Sequence, residues 1–293
     1  MKALAKSSKI RPPTARATGK KALFPALSGG EMEAIYRLWD ELGAFPAEQT
    51  DQALLHLMEF LSKWSGADNV QWFAVVRVNQ GAAAKDDPMR GWRLRASRLL
   101  VPYGEEYLKL IAWIFERNKY FDDDIHIGMT TRAMVESAGK FRIHRLRDGW
   151  VDFDTFRQTE HFHYHYEKQG ITDRIWISFP LNADAESMFL LDLHQRRRRF
   201  SAQQATLVGT VLRGIRSFQR RLFLDHGLLV GATQLTSLQR RIVRGLLTEM
   251  TEKELAVSLG QQPRTMHQYV TALYSRFGVK SRAGLMSLWL GRS

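Results

Sequence analysis

The sequence predicts an α+β protein: an antiparallel-sheet domain flanked by helices, followed by an all-α unit of four helices. Three observations carry this. Segments rich in aromatic and β-branched residues come in two pairs, Gln71 to Val78 with Trp92 to Leu100, and Arg174 to Pro180 with Met188 to His194, each pair joined by a polar connection. Helical periodicity surrounds both pairs and continues alone through the last 59 residues. The formal charge of +13 is also unevenly placed. Residues 1–25 hold seven Lys/Arg and no acid, residues 230–293 hold nine Lys/Arg against three Glu, and the stretch between is balanced at 27 of each.

Composition sets outer bounds. A chain of 293 residues suits one large domain or two ordinary ones, and 44% hydrophobic with 25% charged residues is the mixture of a soluble globular protein. No apolar run reaches the roughly 18 residues of a membrane span. The basic N-terminus lacks the apolar core of a secretory signal. Cysteine is absent, which excludes disulfides, thiolate metal sites and thiol redox sensing and fits a cytoplasmic protein. Basic ends on a neutral middle point to a polyanionic partner for the ends.

Residues 1–27 read as a disordered arm, basic and without periodicity. The domain of residues 28–226 opens with two helices, on Met32, Ile35, Leu38, Trp39 and Leu42, then on Leu54, Leu57, Met58, Leu61 and Trp64 after a cap at Thr50 or Asp51. The first strand pair follows, with Lys85 to Pro88 in its connection. Tyr107, Leu110, Ile111, Ile114 and Phe115 mark a helix. Residues 119–152 are ambiguous apart from a short helix around Thr130 to Ser137. Phe156 to Gln169 reads as one helix closed by Gly170, before the second strand pair. Ser201 to Gln204 is a capping-box pattern opening a long helix. Its residues Val208, Val211, Ile215, Phe218 and Leu222 alternate steps of three and four. Such a seam packs lengthwise on a partner, in the same subunit or in a second copy, and these residues are candidates for a dimer contact. Residues 227–234 form a linker to the unit of residues 235–293.

In that unit the first helix carries Leu238, Ile242, Val243, Leu246 and Leu247, and the second Leu255, Ala256 and Leu259. Gly260 supplies the left-handed backbone that stops the second helix. Pro263 restarts the chain at a first-turn position, where its missing N–H costs nothing. Met266, Val270, Leu273 and Phe277 form the buried stripe of the third helix; Arg264, His267, Gln268, Thr271 and Ser275 lie on the opposite face. A corner made for packing alone would leave that face random. Here it carries donors and acceptors suited to base edges and phosphates and no carboxylate, the chemistry of a helix entering a major groove.

Leu235 to Leu285 closely resembles the LuxR-type (GerE-like) helix-turn-helix of bacterial transcription regulators. The match runs without a gap through Leu235-Thr236, Ile242-Val243, Lys253 to Ala256, Leu259-Gly260, Thr265, Val270, Leu273-Tyr274, Arg276 to Val279 and Ser281-Arg282. The departures are Gln239 and Glu249, where the family has Glu and Gly, and Gln262 and Tyr269, where it has a capping Ser and a His. The resemblance implies that His267, Gln268 and Thr271 face bases. It implies phosphate contacts for Lys253, Arg264, Tyr269, Lys280 and Arg282, places Thr265 and Ser275 on the same DNA-binding surface, and makes the final helix, with Leu285 and Leu288, a dimer contact.

Regulators of this architecture carry a GAF- or PAS-like sensor, an acyl-homoserine-lactone pocket or a phosphoacceptor receiver before the helix-turn-helix. Asp122-Asp123-Asp124 has no apolar strand before it, so a solvated loop suits it better than a receiver site. The lactone-sensor pattern is not recognisable. Thr159 to Gln204 resembles the end of a GAF-like domain. Trp72, Phe73, Trp92, Trp113, Phe115 and Trp176 are candidates for an effector cavity, against the simpler role of core. His161 and His165 stand four apart, with Glu160 and His163 beside them, but no Glu follows the first His as metallohydrolase chemistry requires. Arg196 to Arg199 reads as a solvated turn.

The sequence thus predicts a dimeric, non-enzymatic transcription regulator that binds double-stranded DNA, with no cofactor, metal or membrane and with a small-molecule effector as an option. The alternatives are a regulator whose middle domain only assembles, and a metal-using enzyme fused to a DNA anchor.

Overall fold

The computed structural model describes residues 25–78, 87–116, 126–195 and 197–291, with backbone alone for Ile111 and residues 113–116. Residues 1–24 of the basic arm and Asp122 to Asp124 lie outside them.

Five strands form one antiparallel sheet in the order β2-β1-β5-β4-β3: β1 (Asn69–Arg77), β2 (Trp92–Leu99), β3 (Arg142–Arg145), β4 (Asp173–Asn182) and β5 (Ala185–Leu193). Both expected pairs are present. The strand β3 lies in the stretch the sequence left ambiguous, because its four residues, Arg-Ile-His-Arg, contain one apolar side chain. Alternation divides the sheet into two faces. Val70, Trp72, Ala74 and Val76 of β1, Ile175, Ile177 and Phe179 of β4, and Phe189, Leu191 and Leu193 of β5 join one core. Phe73, Val75, Trp92, Trp176 and Leu190 join another. Opposite Ala74 and Val75 the register of β2 steps from Ala96 to Leu94 and skips Arg95, a β-bulge. The Arg95 Nε then donates to the Ala232 carbonyl at 3.0 Å.

On the first face lie α1 (Gly29–Ala44), α2 (Thr50–Ser65), α7 (Ala202–Gly214) and α8 (Arg216–Asp225). The capping box of α7 is formed as expected, with Gln204 N–H donating to Ser201 Oγ and Ser201 N–H to Gln204 Oε1. The long helix is nevertheless interrupted at Ile215, whose backbone leaves helical values (φ −105°, ψ 36°). Its seam also corrects the dimer expectation. Val208, Val211, Ile215, Phe218 and Leu222 are all buried in this chain's own core. Thr50 does not cap α2 but begins it, after Gln49.

The other face carries α3 (Glu105–Glu116), α4 (Met129–Glu136) and a broken segment where one helix was expected: α5 (Phe153–Phe156), α6 (Glu160–Phe162) and a π-turn over His163–Glu167. Asp152 and Thr159 cap the two short pieces, accepting from Thr155 N–H and Phe162 N–H. Two capping side chains within eight residues end what the hydrophobic spacing alone would continue.

The C-terminal helices α9 (Ser237–Leu246), α10 (Glu252–Ser258), α11 (Pro263–Phe277) and α12 (Arg282–Trp289) enclose a further core of Ile242, Val243, Leu246, Leu255, Met266, Val270, Leu273 and Leu285. Gln239 serves where the family has Glu: its amide oxygen accepts from Thr236 N–H at 3.0 Å and completes a capping box. Within residues 227–234, Leu228 is buried against the sheet-side core. Among the described residues no helix is long and apolar enough to cross a membrane.

Candidate functional site

The first candidate surface is α11. A left-handed Gly260 (φ +63°) ends α10, and Gln261 N–H turns back to the Ala256 carbonyl at 2.8 Å. The Gln262 side chain makes no capping bond, so α11 starts on Pro263 at its first turn, as expected for a weak cap. Met266, Val270, Leu273 and Phe277 are buried, whereas Arg264, His267, Gln268, Thr271 and Ser275 are exposed. No residue of α11 is acidic. Lys253 on α10 and Lys280 after α11 are exposed as well; Thr265 and Tyr269 are half-buried.

Arg282 departs from its expected role. Its guanidinium donates to the Leu246 and Met250 carbonyls at 2.8 and 2.7 Å. It satisfies backbone acceptors left open at the end of α9, and a phosphate would have to displace those bonds. Leu285 is fully buried under α11, so it is core rather than a dimer contact; Leu288 is half-buried. The large apolar side chains that α12 and its C-cap expose are Met286 and Leu290. Glu252 on α10 was missed by the sequence reading. Its Oε2 lies 3.0 Å from His267 Nδ1, a contact fifteen positions apart with no helical spacing to announce it.

The second candidate is a cavity of about 240 Å³ between the sheet and α3, α4 and the π-turn. Phe73, Trp92, Trp176, Met188, Leu190, Met134 and Tyr166 give it an apolar wall, and His126, His161 and His165 stand on one side. Trp92 and Trp176 were expected there. Trp72 was too, but strand alternation turns it to the opposite face, where its Nε1 donates to Ser187 Oγ at 3.0 Å and its ring meets His226. The backbone of Trp113 and Phe115 lies in α3, and their side chains lie outside the described residues.

Buried ion pairs at the cavity include two made across β3, β4 and β5. Arg142 makes a two-pronged contact with Glu186 at 3.0 and 2.8 Å and donates to the Met134 and Lys140 carbonyls. Arg174 pairs with Asp192, which also accepts from Gln71 and from the Tyr103 hydroxyl, each at 2.6 Å. Burial opposes the charge on Arg174, but the attraction of Asp192 outweighs it and the pKa is raised. Burial, then Asp192, raises the Tyr103 phenol. Burial likewise pushes Tyr107 up to about 12. Both phenols therefore stay protonated donors near neutrality. These pairs had a trace in the sequence: Glu186 and Asp192 alternate with Met188 and Leu190, and Arg174 sits two residues before Trp176. Charge at an inward strand position calls for a buried partner.

The histidines of this segment divide between cavity and surface. The rings of His161 and His165 lie tilted at 36° with centroids 4.6 Å apart, while His163 points to Glu167 at 2.7 Å on the surface. Among the described residues the only group of three with ligating atoms within 4.8 Å is Asp51, Asp225 and His226. Both of its carboxylates already hold the guanidiniums of Arg240 and Arg244.

No family model and no curated protein matches the chain. Solved structures that align with it include the VqsR LBD domain from Pseudomonas aeruginosa, at 15% identity over 66% of this chain and 96% of that one (TM-score 0.40). SdiA in complex with octanoyl-rac-glycerol aligns at 11% over 91% and 97% (TM-score 0.45), and Escherichia coli SdiA at 9% over 89% and 97% (TM-score 0.39). Likeness at this level carries no functional argument.

Proposed function

We propose that this chain is a sequence-specific DNA-binding transcription regulator that reads a major groove with α11 and holds a small-molecule effector in the cavity of its sheet domain. One observation carries the proposal: α11 pairs a buried apolar stripe with an exposed, acid-free face of Arg264, His267, Gln268 and Thr271. The resemblance of Leu235 to Leu285 to LuxR-type helix-turn-helix units supports the same reading, as does the excess positive charge at both ends of the chain. Gln268 offers a donor and an acceptor to an adenine edge, and Thr271 a methyl to thymine. Arg264, Lys253 and Lys280 serve the phosphates.

The cavity supports the effector half of the proposal by its size, its apolar wall and the polar groups that converge on it. A single antiparallel sheet with helices on each face is also what a GAF- or PAS-like sensor would need. A two-fold DNA site would be met by two copies, joined through the exposed end of α12, Met286 and Leu290, rather than through the buried seam.

Selection of duplexes from a random pool by the full chain tests the proposal. A preferred site should emerge. Gln268→Ala should then cost about 1–3 kcal/mol on that site and relax one base pair per half-site, while Arg264→Ala weakens all sequences about equally. A pool that yields no enriched sequence, or a Gln268→Ala effect that is uniform across sequences, would sink it.

A further inference from the structure

His267 sits on the proposed reading face of α11, and it is tethered to the neighbouring helix. Its Nδ1 lies 3.0 Å from Glu252 Oε2 on α10. An ionised carboxylate has only acceptors, so this bond requires the hydrogen on Nδ1. Nε2, at the far side of the ring, takes part in no hydrogen bond among the described residues. The imidazole is 71% exposed and the Glu252 side chain 41%, so the tether leaves the ring open to a groove. The other charged side chains on the two helices are Lys253 and Glu254 on α10 and Arg264 and Arg276 on α11. Tyr274, also on α11, lies within electrostatic reach of Glu252 and of Arg282 on α12.

Resting on the DNA reading above, we infer that Glu252 is a positioning residue that fixes the hydrogen-bonding sense of His267. The neutral ring presents Nε2 as an acceptor, which reads the amino edges of adenine (N6) or cytosine (N4). Because Glu252 holds Nδ1 in the donor role, the acceptor at Nε2 does not arise by chance, and one base pair of each half-site prefers adenine or cytosine.

Selection from a random duplex pool by the full chain gives the reference site. No enrichment at all would overturn the DNA reading and this inference with it. Repeating the selection with His267→Ala identifies the base pair whose identity ceases to matter; if none does, the inference falls and the DNA reading stands. Glu252→Gln keeps the side chain's shape but offers Nδ1 either a donor or an acceptor. Discrimination at that pair should then fall by about tenfold, the scale of one lost base contact, with the other positions unchanged. A tether that only braced the two helices would change affinity for all sequences by one factor. That result, or a base preference indifferent to Glu252→Gln, overturns the inference.

Discussion

His226 shows how a single side chain at the meeting of sheet and helices constrains the whole chain's pH response. It is buried, its ring lies 5.3 Å from Trp72, and its Nδ1 accepts from the Gln234 amide at 3.0 Å. Burial, with Arg240 adding to it, lowers its pKa to about 4. The unfolded chain thus binds more protons than the folded one between about pH 6.5 and pH 4. The contribution is fully present above the upper value and is lost as pH falls through that window. A depression of this size corresponds to at most roughly 3 kcal/mol. His226→Gln should flatten the pH dependence of urea unfolding between about pH 6.5 and 4 relative to the unmodified chain. Carboxylates that titrate in the same range contribute to both curves, so the difference isolates His226. Parallel curves would show that the imidazole is solvated.

At the scale of elements, two glycines set how α9, α10 and α11 fit. A Cβ on Gly245 of α9 would stand 2.4 Å from Leu255 Cδ1 on α10, within the C-terminal core. Gly245→Val should therefore cost about 2 kcal/mol by overpacking. Gly260 is the milder case: a Cβ there meets nothing within 4 Å, and the cost is the left-handed backbone alone. Gly260→Ala should lose about 1 kcal/mol. Thermal melts of the two variants rank the effects, and a larger loss at Gly260 would contradict the packing argument. The broken segment α5, α6 and π-turn illustrates the opposite problem. Its aromatic and histidine residues carry a helical period, yet the caps at Asp152 and Thr159 redirect it, which brings His161 and His165 to the cavity.

For the molecule as a whole, the decisive contact is the joint between the helix layer and the C-terminal helices. Asp225 on α8 is fully buried and accepts from Nε of Arg240 at 3.0 Å and from Nε and Nη2 of Arg244, each at 2.7 Å. Asp51 of α2 closes the ring at 2.8 and 2.7 Å. Burial works against the Asp51 charge, but Arg240 and Arg244 prevail and hold its carboxyl below the usual range. Further ties run from Arg220 to the Leu288 carbonyl and from Arg276 to the Thr233 carbonyl. Asp225→Asn should cost about 2–3 kcal/mol, less than a wholly buried pair, because both arginines are about a fifth exposed and keep Asp51. Urea melts measure that loss, and faster proteolysis within residues 227–234 should accompany it. Unchanged melting and cleavage would mean that apolar packing alone holds the joint.

The sequence by itself determined what short-range chemistry controls. The strand pairs follow from their aromatic and β-branched runs, the cap at Ser201 from hydroxyl and amide spacing, and the acid-free face of α11 from a period of 3.6. The turn at Gly260 and Pro263 was equally legible, because backbone dihedrals restrict those two residues before any packing occurs. Only the tertiary structure decided which face of the sheet holds the cavity, and so moved Trp72 from its wall to the helix side while leaving Trp92 and Trp176 in place. It also decided that the seam from Val208 to Leu222 is covered by the chain's own sheet and helices, that Arg282 serves backbone carbonyls, and that Glu252 meets His267. The physical reason is common to all four. An apolar stripe or a charged side chain states that it needs a partner, but partners far apart in the chain are chosen by how the layers pack, and that choice has no local signature.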